Sequence, residues 1–171
     1  MAPNKAWQEQ VYDILREAGV SIFSFVPDGG HRILIEKAIA DPGVKAVTLT
    51  TEEEGVALAA GAHLGGAKAV LLMQSSGVGN CINMLSLIQN GRFPFLTIVT
   101  MRGQFGEGNP WQVPMGQGAR PALEAMGVIC LAVEDPALAE STIRAAITMA
   151  FQSGQSIAVL LSQRLLGAKE F

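Results

Sequence analysis

Three carboxylates, Glu52, Glu53 and Glu54, stand together in TTEEEGVALAAG (50–61), ahead of a run of small apolar residues. One use for such acids is to start a helix. Thr51 and Glu54 have the spacing of a capping box with Thr51 as N-cap, and acids in a first turn meet the positive end of the helix dipole, each worth about 0.3–1 kcal/mol. That accounts for Glu54 and Glu53, and capping does not require Glu52. The other use is chemical: one of the three is a working group held against a ligand. Spacing alone leaves both readings open.

Other stretches offer hydrogen-bonding groups rather than nucleophiles. QSSGVGN (74–80) has the look of a glycine-rich turn between a strand and a helix, a place where a phosphate can sit. It lacks the third glycine and the later acid of a dinucleotide fingerprint, and the Lys-Ser/Thr end of a P-loop. Its glycines serve a tight turn equally well, while Gln74, Ser75, Ser76 and Asn80 remain polar. PDGGH (27–31) is a turn in which Asp28 can cap the next helix. His31 is either a site residue or a satisfied core group, and His63 reads as packing. MRGQFGEGNPWQ (101–112) brings Arg102 and Gln112 into a long irregular loop, 102–118, of the kind that is usually functional. Trp111 either anchors the loop or lines an interface, and packing is the expected role. No Ser-His-Asp set has a supporting local motif, and no His/Cys/Asp cluster has metal spacing.

The elements that would position these groups alternate. Helical periodicity covers 5–18, 30–40, 52–65, about 80–90, 119–127 and 136–152; apolar β-runs cover 21–26, 44–49, 67–74, 93–101, 128–133 and 156–162. The β-runs are nearly continuous rather than alternating, as in a parallel sheet covered on both faces. The expected fold is therefore a three-layer α/β/α, doubly wound domain over 1–171 with a mainly parallel six-stranded sheet. Ligands in such folds sit outside the carboxyl ends of the strands. That rule selects the loops at 27–31, 50–54, 74–80 and 101–112.

Composition narrows the class. The 171 residues are 49% hydrophobic and 16% charged, apolar enough to suggest surface buried in an assembly. A net charge of −3 gives no reason to expect nucleic acid or an anionic membrane. No apolar run reaches the roughly 18 residues of a membrane span. MAPNKAWQEQ is not a signal segment, and Cys81 and Cys130 read as reduced thiols of a cytoplasmic protein.

TEEEGVALAAGAHLGGAKAVLLMQSSGVGN resembles the pyrimidine-binding domain of thiamine-diphosphate enzymes, in which a glutamate opens an alanine- and glycine-rich helix and a strand and an SGxGN-like turn follow. FVPDGG and MRGQFGEGNPWQ extend the likeness to the sulfopyruvate and phosphonopyruvate decarboxylase group, over about residues 5–165. The family glutamate lies nine positions before the helix glycine; from Gly61 that gives Glu52. The resemblance implies that Glu52 hydrogen-bonds N1′ of the cofactor's aminopyrimidine and so helps to remove the thiazolium C2 proton. Gln74, Ser76, Gly77 and Asn80 would line the cofactor, and Arg102, His31 and Gln112 would bind an anionic 2-oxo acid, with Asp28 as a proton relay. The GDG…N motif, which holds the diphosphate through Mg2+ in complete enzymes, is missing from this sequence. The resemblance therefore implies either a separate β subunit carrying that domain and the metal, with this chain as the α-type partner in a homo- and hetero-oligomer, or a solitary relative without cofactor; the decarboxylases of the group that are split into two subunits match the first. 3-Sulfopyruvate is the implied substrate; phosphonopyruvate, other 2-oxo acids and a non-catalytic subunit of the same fold are the alternatives.

Overall fold

The computed structural model describes residues 6–168. Its sheet has six parallel strands: β1 (Val20–Phe25), β2 (Lys45–Thr48), β3 (Lys68–Gln74), β4 (Phe95–Thr100), β5 (Ile129–Val133) and β6 (Ser156–Leu161), in the order β2-β1-β3-β4-β6-β5. The apolar runs of β3, β4 and β6 are buried on both faces because successive side chains alternate. Val70, Leu72, Leu96, Ile98, Ile157 and Val159 enter one core with helices α1 (Trp7–Glu17), α2 (Arg32–Ala40) and α7 (Pro136–Phe151). Leu71, Met73, Phe95, Val99, Ala158 and Leu160 enter the other, beneath α3 (Glu52–Leu64), α4 (Ser75–Cys81), α5 (Leu85–Gly91) and α6 (Val113–Ala125). A short helix, α8 (Gln163–Leu166), follows β6. The outer strands β2 and β5 are only partly buried, as edge positions require.

The chain runs from β1 outward to β2, then crosses to β3 on the other side of β1. Connections after β1 and β3 therefore part, and their carboxyl ends open the crevice in which such sheets hold ligands. Two segments differ from the sequence expectation. SSGVGN is not a turn leading into a helix; it is the body of α4. Residues 113–118 are not loop, because α6 begins at Val113, after a single 3-10 turn at Pro110–Gln112. Both stretches are poor helix formers by propensity, and packing overrides it. Gly77 is buried against Glu52 of α3, Val78 is buried in the core beneath the sheet, and a Cβ on Gly116 would overlap the backbone carbonyl of Arg102.

Candidate functional site

Glu52 is the first residue of α3, and its side chain is folded inward to 8% exposure. One carboxylate oxygen, Oε2, accepts a hydrogen bond of 2.8 Å from Nδ2 of Asn80 on α4. Gly77, one turn earlier on α4, lies against the same carboxylate, and a Cβ there would collide with Oε1 and Cδ and come within 2.6 Å of Cγ. The glycine of SGVGN is thus a space requirement of Glu52 rather than of a phosphate. The expected capping box is only half made. Thr51 stands at the N-cap without a side-chain hydrogen bond, and Glu54 reaches past it to accept from Thr50 N at 2.8 Å. Capping uses Glu54 and leaves Glu52 for another task.

A second polar group lies at the crevice between β1 and β3. Ser76 Oγ donates to Gln74 Oε1 (3.0 Å), and Gln74 Nε2 donates to Asp28 Oδ1 (3.1 Å). The other oxygen of Asp28 accepts from Thr100 Oγ1 at 2.7 Å, at the end of β4. Asp28 therefore does not cap the following helix, since its side chain makes no capping bond there. Ser76 and Asn80 are four apart on α4, hence on one helix face. That face joins the Glu52 group to the Asp28 group.

Arg102 leaves β4 toward the same end of the sheet. Its guanidinium makes a fork with Glu107, Nε to Oε2 and Nη2 to Oε1, both at 2.6 Å. The two side chains are 13% and 4% exposed. The guanidinium and two backbone N–H groups hold the Glu107 carboxyl well down, at about 2, while Glu107 raises Arg102. Gln112 ends the turn before α6, with its Oε1 buried and without a partner among the described residues. Arg102, Asp28, Thr100 and Gln163 line one cleft of about 160 Å³, together with Gln8, Leu165, Leu166 and Gly167.

His31 departs from its expected place on the substrate. It is fully buried beneath the sheet ends, with Nε2 3.1 Å from the carbonyl oxygen of Met73 and Nδ1 without a hydrogen-bond partner among the described residues. Burial pushes its pKa below 6.5, against the upward pull of Asp28. It supports the site from behind. His63 is on the exposed side of α3, its ring 6.0 Å from that of Phe93. Among the described residues no group of His, Cys, Asp and Glu has the arrangement of a metal site, and no helix is long and apolar enough to cross a membrane.

Three site residues escape the sequence reading. Thr100 carries the signal of a polar residue at the end of an otherwise apolar strand. Glu107 is the lone acid of the loop, five residues after Arg102. Gln163 is 56 residues from Glu107 in the chain and gives no local signal, yet it is 1% exposed and donates to Glu107 Oε2 at 3.0 Å.

Residues 6–118 match the model of the thiamine pyrophosphate enzyme, N-terminal TPP binding domain. The chain is 36% identical to sulfopyruvate decarboxylase subunit alpha of Methanothermobacter thermautotrophicus over 90% of its own length and 93% of that protein. It is 42% identical to a phosphonopyruvate decarboxylase of Streptomyces viridochromogenes over 52% of its length, which is 23% of that protein. In fold it is similar to the 2-oxoglutarate:ferredoxin oxidoreductase of Magnetococcus marinus, with a TM-score of 0.77 and 19% identity, over 95% of this chain and 29% of the other.

Proposed function

The chain belongs to the thiamine pyrophosphate enzymes, through their N-terminal TPP binding domain, and from that premise we propose that it is the α-type subunit of a cytoplasmic carboxy-lyase that converts 3-sulfopyruvate to sulfoacetaldehyde and CO2. The observation that carries this reading is the buried Glu52 carboxylate, held by Asn80 on one oxygen and seated over Gly77. The alpha-subunit relative of nearly equal length supports the substrate. In this reading the chain is one pyrimidine-binding domain, and a β subunit supplies the diphosphate-binding domain with Mg2+.

The residues present fit the pyrimidine half of thiamine diphosphate. Asn80 occupies Oε2 of Glu52, while Oε1 takes no hydrogen bond from a described residue and is free to meet N1′ of an aminopyrimidine. When bound, the cofactor supplies the nucleophilic carbon and the electron sink for decarboxylation. Glu52 holds or gives the proton at N1′. Asn80 fixes which oxygen does so. Gln74 at the end of β3, with Ser76 and Gly77 of α4, would line the pyrimidine site. Asp28, oriented by Gln74 and Thr100, stands at the strand ends as the proton relay toward substrate. Arg102 and Gln112 offer N–H donors to the substrate's anionic groups. Phosphonopyruvate is the second reading, favoured by the Streptomyces relative.

The test is reconstitution with a diphosphate-domain subunit, thiamine diphosphate and Mg2+. CO2 is expected from sulfopyruvate only when both chains are present. Glu52→Gln should assemble and bind the partner normally yet lose about 10²–10⁴-fold in kcat, the range of a general acid–base group. Full turnover by the Glu52→Gln complex would falsify the catalytic reading.

A further inference from the structure

We infer that Glu107 is a positioning residue that makes Arg102 a fixed, directional reader of the substrate's second anionic group; the inference rests on the decarboxylase reading above and deepens it. Glu107 accepts from Arg102 Nε and Nη2 at 2.6 Å each, Gly103 N at 3.2 Å, Asn109 N at 3.0 Å and Gln163 Nε2 at 3.0 Å. A carboxylate has about four lone-pair sites, so this one is saturated and has nothing left for a ligand. Arg102 differs. A guanidinium has five N–H donors and Glu107 engages two of them, so three have no acceptor among the described residues. These belong to a residue that lines the cleft shared with Asp28.

The mounting is rigid. Gln163, 1% exposed, donates to Glu107 and accepts from Gln104 N (2.9 Å) and Phe105 N (3.0 Å). Arg102 N is tied to Ser75 Oγ at 3.1 Å, and Gln117 Nε2 to Gly103 O at 2.8 Å. The loop after β4 is thereby fastened to α4, α6 and α8. Charge alone does not make this an anion site, because Asp28 and Glu107 together outweigh Arg102. Direction does: a planar fork held at one end presents its other N–H groups at fixed angles, which suits the three oxygens of a sulfonate. A lysine has the charge without the fork.

The test uses the assembled complex with its cofactor, measuring kcat and KM for 3-sulfopyruvate and calorimetric Kd for 3-sulfopropionate, an unreactive dianion. Glu107→Gln should raise KM and Kd about 10–100-fold, the worth of a misdirected charged hydrogen bond, with kcat within about threefold. Arg102→Lys should do the same while keeping the charge. Arg102→Gln combined with Glu107→Gln should lose no more than Arg102→Gln alone, because the two act as one unit. Near-native KM and Kd in Arg102→Lys, or additive losses in the double variant, overturn the inference and leave the decarboxylase reading standing. An unsubstituted complex that neither releases CO2 nor binds the dianion overturns both.

Discussion

At the scale of single residues, the two glycines of SGVGN separate by what they face. A Cβ on Gly77 would land on the Glu52 carboxylate, whereas one on Gly79 would meet only the Met115 thioether at 3.6 Å, an ordinary contact. Gly77→Ala should therefore move the Glu52 side chain and cost about 10²-fold in turnover, the effect of misplacing a reacting group by an ångström. Because the atoms it displaces end a flexible side chain, the thermal midpoint should fall by only a few degrees. Gly79→Ala should turn over like the unsubstituted complex. Equal loss from both would show that the motif acts through its backbone, as a phosphate loop does, and not through Glu52. The sequence distinguishes Glu52 from its neighbours only by elimination and by family spacing. Its partners Asn80 and Gly77 are 28 and 25 positions away, and only the packing of α3 on α4 makes the pairing visible.

Among the elements, the sheet was legible because each central strand is a long apolar run that nothing but a covered parallel strand explains. The 3-10 turn at Gly29–His31 was legible as a turn but not for what it buries. His31 sits under β3 and β4 with Nε2 on Met73 O and Nδ1 without a partner among the described residues, an arrangement suited to the neutral ring. Its folded pKa lies below the ordinary 6.5. Below pH 6.5 the unfolded chain gains a proton at this ring that the folded chain refuses. Stability should therefore be full above pH 6.5 and fall as pH drops toward the folded pKa, by at most about 1.4 kcal/mol per pH unit for one group. Glu107, also depressed but from 4.5 to about 2, withdraws its contribution only below pH 4.5, so between pH 6.5 and 4.5 the His31 contribution changes without it. Urea unfolding of the isolated chain between pH 7.5 and 5 measures the upper window. His31→Gln should flatten it; an unchanged slope in that variant would assign the loss to other groups. The elements that propensity misjudged, α4 and the start of α6, are the ones that carry glycine where backbones or a carboxylate must approach closely, so the local signal and the packed outcome disagree at the site itself.

For the whole molecule, the proposed function requires a partner subunit to complete the site. The chain presents Glu52, Asp28 and Arg102 at one end of its sheet and, on the loop after β4 and the first residue of α6, Trp111 at 84% exposure with Phe105 at 42% and Val113 at 40%. Apolar residues of this size beside an anion-reading loop are costly in water and useful against a partner, where tryptophan is a frequent hot spot. In the proposed reading the diphosphate half of the cofactor would approach from this end, where Glu52, Gln74 and Asn80 lie. Assembly should therefore cover Trp111. The sequence has two tryptophans, and Trp7 packs against the core on the α1 side. In a Trp7→Phe chain the remaining emission should shift to the blue when the β subunit is added, and the shift should saturate at the stoichiometry of the complex. Trp111→Asp should weaken association about 30-fold or more, the loss of one hot-spot residue, without changing the folding of the isolated chain, because a side chain this exposed contributes little to its own fold. If a complex forms by sedimentation while the Trp7→Phe emission stays put, the partner docks elsewhere. The loop after β4 would then face a site closed by motion rather than by the subunit contact itself.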